Sequence, residues 1–159
     1  MSAPHAAVRL PAVVRREYAR RGSPGRHRRL VQMTTPVETA QRFVDAMLAG
    51  ESREHLVAPG FRFAGEAFAG MILPLAEISS PDLAAERIAG AGLVLRFAPV
   101  EPARPGRAWV EVVWTHGVEH AHGSAGLQWV VFTVQDELMR ELRIFQDREA
   151  ARAFAFEGS

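Results

Sequence analysis

The chain contains no cysteine, which removes disulfides and thiolate metal sites from consideration. Its single tyrosine is Tyr18, so a phenolic donor has one source, close to the N-terminus. No apolar run approaches the roughly 18–20 residues of a membrane-spanning helix, and no membrane partner is expected. The N-terminal segment lacks the apolar stretch of about 7–15 residues that a secretory signal requires, which makes the cytoplasm the expected compartment. Lysine is absent and all 19 basic residues are arginine, a bias of coding composition to which no mechanism attaches.

What remains is ordinary for one soluble globular domain: 159 residues, 48% hydrophobic and 23% charged. A chain of this length buries roughly 65–70% of its unfolded surface. The net charge of +1 hides an asymmetry. Residues 1–32 hold eight arginines and one glutamate, a net of +7, and the rest holds 11 arginines and 17 acids, a net of −6. Residues 1–32 are therefore expected to be a disordered basic extension, or the product of a start assigned too early, since Met33 directly precedes the first clean helix signal. A nucleic-acid-binding arm is the weaker alternative, because the domain behind it is acidic. Residues 33–159 make the folded domain.

Thr35-Pro36-Val37-Glu38 has the form of a capping box, with Thr35 as N-cap and Pro36 in the first helical position. Val37, Ala40, Val44, Met47 and Leu48 fall on one face, Phe43 lies beside it, and Gly50 ends the helix. Ser52–Leu56 continues as a short helix, and Phe61–Ala64 is a short strand followed by the glycine-punctuated Gly65–Gly70. Met71–Ile78 is apolar but broken by Pro74 and has no assigned state. Ser80-Pro81-Asp82 opens a helix over Leu83–Ala89, Leu93–Ala98 is a strand, and Pro99–Gly106 is a loop.

The last third carries the strongest pattern. Arg107–His116, Gly126–Val134 and Leu138–Asp147 are rich in β-branched and aromatic residues and bounded by turns. With Asp136 and Glu137 as a two-residue loop, Gln135 pairs with Leu138 and Phe132 with Glu141. Trp129 and Val131 then share an apolar, core-facing side with Leu142 and Ile144. Gln128, Val130, Phe132, Glu141, Arg143 and Phe145 take the other, mixed side. A turn at Ala121-His122-Gly123 would set Thr115 opposite Trp129, Val113 opposite Val131 and Glu111 opposite Thr133, turning Glu111 inward with Arg140 nearby. A slip of one residue would instead expose Glu111 and bury Val110, Val112 and Trp114. Asp147 is placed to cap a terminal helix through Phe154.

Glu111, with Arg140 as its partner, is the candidate catalytic group: a carboxylate in an apolar setting suits general-base work. The alternative is a solvated acid or a structural ion pair. The expected ligand pocket is lined by Phe63, Trp109, Val113, Trp129, Val131, Leu142 and Ile144. His116, Glu119, His120 and His122 cluster at one turn, but a mobile hairpin tip fixes no third ligand, so no metal is assigned. No cofactor is expected.

The opening segment TPVETAQRFVDAMLAG, Phe61–Gly70 and the ending DELMRELRIFQDREAARAF together resemble the nuclear transport factor 2-like superfamily, and within it the SnoaL-like branch, over residues 34–156. The resemblance implies an α+β cone: a curved antiparallel sheet wrapped around N-terminal helices and enclosing a hydrophobic pocket. It implies a protein that binds a small apolar molecule, with cofactor-independent isomerase, cyclase or hydrolase activity within the family's range. The alternative is a non-catalytic dimerisation or ligand-sensing domain, a homodimer joined through the outer sheet face. Several family signatures are missing. Tyr18 lies outside the domain, Arg62 and Glu66 are the only charges around Phe61–Ala64, and Ile144 stands where epoxide hydrolases of the family carry a catalytic Asp.

Overall fold

The computed structural model describes residues 34–68, 75, 78–116 and 124–157. The basic segment 1–32, most of Met71–Ile78 and the turn holding Glu119, His120 and His122 lie outside the described residues. Thr35–Ser159 form one compact unit.

Helix α1, Pro36–Leu48, begins as the capping box requires: the Glu38 N–H donates to Thr35 Oγ1 at 3.1 Å. It buries Thr39, Ala40, Phe43 and Val44, while Leu48, expected on the same face, is left exposed at its C-terminal end. The short helix predicted next is a single 3₁₀ turn, Glu54–Leu56. Strand β1 (Val57–Gly65) follows, then α2 (Pro81–Gly90), whose first turn is capped by Ser80 accepting from the Leu83 N–H at 3.2 Å. The remaining elements are β2 (Leu93–Phe97), β3 (Glu101–Pro102), β4 (Arg107–His116), β5 (Ser124–Gln135), β6 (Leu138–Phe145) and α3 (Arg148–Glu157).

The six strands form one curved, open sheet in the order β1-β6-β5-β4-β2, with β3 paired to β4. The sheet is antiparallel except where β1 runs parallel to β6. The α+β cone expected from the sequence is the fold observed. Its concave side holds the main core: Phe43 and Val44 from α1, Phe61 and Phe63 from β1, Val110 and Val112 from β4, Val130 and Phe132 from β5, Leu142 and Ile144 from β6. Phe43 meets Phe132 edge-on at 6.4 Å between centroids, and Phe61 meets Phe63 at 5.0 Å. Each such fully buried side chain contributes on the order of 1.5–3 kcal/mol.

Helix α3 covers part of the convex side. Asp147 caps it, accepting from the Ala150 N–H at 2.9 Å. Ala151 and Ala155, both fully buried, bring the helix close against Trp109 and Val131. At its C-terminal end the Arg107 guanidinium stacks on the Phe154 ring at 3.9 Å and donates to the Phe154 carbonyl. A cation there offsets the unpaired carbonyls of the last helical turn.

The β5–β6 hairpin turns where predicted, with Asp136 and Glu137 both at positive φ and Gln135 paired with Leu138. Beyond the turn the expected pairing fails. Val134 faces Met139 but Thr133 faces Glu141, so Arg140 is an extra residue, a β-bulge. One inserted residue reverses the face of everything after it. Leu142 and Ile144 therefore share the concave side with Val130 and Phe132, and Trp129 and Val131 share the convex side with Arg143 and Phe145. In the preceding hairpin Glu111 pairs with Trp129 rather than Thr133, a register four residues from the one expected. That shift keeps Glu111 on the side of Trp109 and Trp129. That side is the convex one, where Trp109 and Val131 pack against Ala151 and Ala155.

Candidate functional site: an apolar chamber on the concave face

Between α1, α2 and the sheet lies a chamber of about 40 Å³. Phe43 and Met47 of α1, Ala84 and Ile88 of α2, Phe63 of β1 and Phe132 of β5 form much of its wall. Met47, Ala85, Ile88, Leu95 and Phe97 are only partly buried, so the mouth lies between the two helices and β2. All fifteen lining residues are apolar, and none of them can accept, donate or store a proton at its side chain. Gln128, a buried polar side chain on the concave side of the sheet, is not in the lining, and its Nε2 donates to the Ala67 carbonyl at 3.1 Å.

Of the residues expected to line a pocket, Phe63 and Leu142 do so. Ile144 is in the same concave core. Trp109, Val113, Trp129 and Val131 stand on the far side of the sheet, parted from Leu142 and Ile144 by the bulge at Arg140. Glu111 is exposed, on that same far side. Arg140 is exposed at the bulge, beyond Thr133, while Glu111 lies opposite Trp129; no ion pair joins them among the described residues. The inward acid with a guanidinium partner is thus corrected: the sheet separates both groups from the chamber. The α2 and β2 walls were missed. Ala84 and Ile88 lie four apart on one helix side, but nothing in that spacing says which sheet face they meet.

Two charged clusters brace the walls. Glu141, 9% exposed, accepts from Arg62 Nε at 2.8 Å and from Arg143 Nε at 2.9 Å. Burial raises its pKa, but hydrogen bonds and charge from Arg143 and Arg62 outweigh that and hold the carboxyl below its usual range. This links β1 to β6 across their parallel pairing. The second cluster ties the 3₁₀ turn to α2: Asp82 accepts from the Ser52 hydroxyl at 2.6 Å and the Arg53 N–H at 2.8 Å, and pairs with the buried Arg53 guanidinium at 3.1 Å. Burial again works to raise the pKa, and these partners together lower it. Both clusters fit structural roles, since neither carboxylate faces the chamber.

Among the described residues no three His, Asp or Glu side chains gather to hold a metal ion, and no helix is long and apolar enough to cross a membrane. No family model and no curated protein matches the sequence. Solved structures do. A nuclear transport factor 2-like protein from Burkholderia thailandensis is 13% identical, with a TM-score of 0.57 over 72% of this chain and 92% of its own. RV0760c from Mycobacterium tuberculosis, solved in complex with estradiol-17beta-hemisuccinate, is 14% identical, with a TM-score of 0.52 over 73% of this chain and 97% of its own. The Δ5-3-ketosteroid isomerase of a Mycobacterium species is 18% identical, with a TM-score of 0.50 over 74% and 97%. The chain has the nuclear transport factor 2-like fold.

Proposed function

We propose that this protein binds a small, predominantly apolar molecule in the concave chamber, and that it acts by holding the ligand. The observation that carries this reading is the wall chemistry: fifteen apolar residues with no ionisable or nucleophilic side chain among them. Apolar clefts of this kind are the usual form of small-molecule sites, with polar groups few in number. Proteins of the same fold that bind steroid-like molecules support the class of ligand. A chamber of about 40 Å³ has room for little more than water-sized molecules, so ligand entry requires Met47, Ile88 or Phe97 at the mouth to swing aside.

Titration with a fluorescent apolar probe tests this, wild type against Ala85→Trp, which fills the mouth from a half-buried position. Saturable binding in the wild type, lost in the variant at an unchanged melting temperature, supports the site. Binding that survives Ala85→Trp puts the ligand elsewhere. Glu111→Gln should leave probe binding unchanged, because Glu111 lies across the sheet.

Association of two copies through the convex face is a second reading. Val113 and Leu127 face each other there, with Val94 one row away on β2, and Val94, Val113 and Leu127 are 57%, 37% and 43% exposed, an apolar area that invites cover. A cytoplasmic homodimer is the proposed form. Sedimentation showing a monomer at micromolar concentration would remove it.

A further inference from the structure

The convex face holds a second and larger cavity. It is a cleft of about 200 Å³ between β3, β4, β5 and the first turn of α3, with Glu101, Glu111, Trp109, Trp129 and Arg148 in its walls. The pairing of the strands sets its pattern. Glu101 lies directly across from Trp109, and two residues on, in the next row, Glu111 lies directly across from Trp129. Carboxylate and indole therefore alternate along a staggered line across one sheet face, Glu101 on β3, Trp109 and Glu111 on β4, and Trp129 on β5.

Three features of this array point to one ligand chemistry. First, neither the Glu101 nor the Glu111 carboxylate has a hydrogen bond or ion pair among the described residues. Against one guanidinium, Arg148, they leave the cleft a net charge of −1. Second, an indole face already takes a cation here: the Arg148 guanidinium carbon lies 5.7 Å from the centre of the Trp109 ring. Third, that occupant is weakly held. Its ion pair is with Glu149 at 3.3 Å, and both side chains are more than half exposed, a solvated pair of little strength.

We propose that this cleft is a binding site for a small organic cation, a methylated ammonium group of the quaternary type. The positive charge meets two π faces and two carboxylates. Its methyl groups lower the cost of leaving water, which a bare ammonium or a metal ion would pay in full. Arg148 acts as a resident cation that the ligand displaces from Trp109. The site is separate from the apolar chamber, with the thickness of the sheet between them, and does not depend on what the chamber holds.

The test uses the full chain and tetramethylammonium chloride as probe, at constant ionic strength with sodium chloride as the balancing salt, read by tryptophan fluorescence and calorimetry. The expected result is saturable binding by tetramethylammonium and none by sodium. Glu111→Gln, an exposed substitution that leaves the fold intact, should weaken it about tenfold, Trp129→Leu by a similar factor, and Arg148→Ala should tighten it several-fold. Trp114→Phe, on the concave face, should leave it unchanged. Absence of saturation at 0.1 M probe (roughly the weakest affinity such a box supports) overturns the proposal. So does binding that Glu111→Gln and Trp129→Leu leave intact in protein that melts like the wild type, since the cation then sits elsewhere.

Discussion

Gly65 offers a direct measure of how tightly β1 is held to the wall of the chamber. It closes β1 at a φ of +87°, and an added Cβ would lie 2.2 Å from the Ile144 carbonyl oxygen and 2.8 Å from the Ile144 nitrogen. Those are backbone atoms of the central sheet and have nowhere to go. Gly60, in the same strand at a φ of +81°, has nothing within 4 Å of the same position. Alanine at either site bears the left-handed penalty, about 1–2 kcal/mol. At Gly65 the end of β1 must also part from β6. That loses the Glu66 N–H to Ile144 carbonyl bond of 2.9 Å and the bond from the Gln146 N–H to the Glu66 carboxylate. Together these add on the order of 2–3 kcal/mol. Gly65→Ala should therefore cost about 3–5 kcal/mol and Gly60→Ala about 1–2, measured by urea unfolding. In thermal melts each kilocalorie is worth roughly 4 °C for a domain of this size. Equal losses in the two variants would refute the argument, because they would mean that β1 can lift from β6 without cost.

Glu141→Gln should destabilise by about 1.5–3 kcal/mol, toward the lower end because the Arg62 side chain is 66% exposed and regains water. Glu141 has a folded pKa below its unfolded value, so its contribution is full above an unfolded pKa of about 4.3 and is lost as pH falls through the lower folded value. Urea midpoints between pH 6 and pH 3 should fall more steeply for the wild type than for the variant; parallel curves would remove the pair as a source of acid lability. Gly126→Ala puts a Cβ 2.5 Å from the Trp114 indole lying over it. The ring should move, changing the near-ultraviolet circular dichroism at a cost of about 1–3 kcal/mol. An unchanged spectrum would contradict the packing. A chain starting at Met33 should melt within a few degrees of the full chain, since Thr35–Ser159 form a compact unit by themselves; a large loss would give residues 1–32 a structural role.

Much of this molecule was legible in the chain. Caps at Thr35 and Asp147, the Gly50 stop and the Asp136-Glu137 turn depend on local chemistry, and each is found where the residues put it. The element order and the family-like ending gave the cone. What the residues left open was which side of each strand looks inward, because Arg107–Phe145 is apolar on both faces: Val110, Val112, Val130 and Phe132 on one, Trp109, Val131, Trp129 and Phe145 on the other. Alternation alone cannot rank two greasy faces.

Tertiary structure broke that tie by two means. Helix α3, with Ala151 and Ala155 on its inner side, fits closely against Trp109 and Val131, so those bulky residues have a cover of their own outside the cone. The bulge at Arg140 then turns Leu142 and Ile144 to the opposite side from them. A single extra residue has no sequence signature, yet it inverts the rest of β6, and so parts Leu142 and Ile144 from the side on which Trp129 and Glu111 lie. The kinds of residue available for a site were written in the chain; which of them meet was settled by long-range packing.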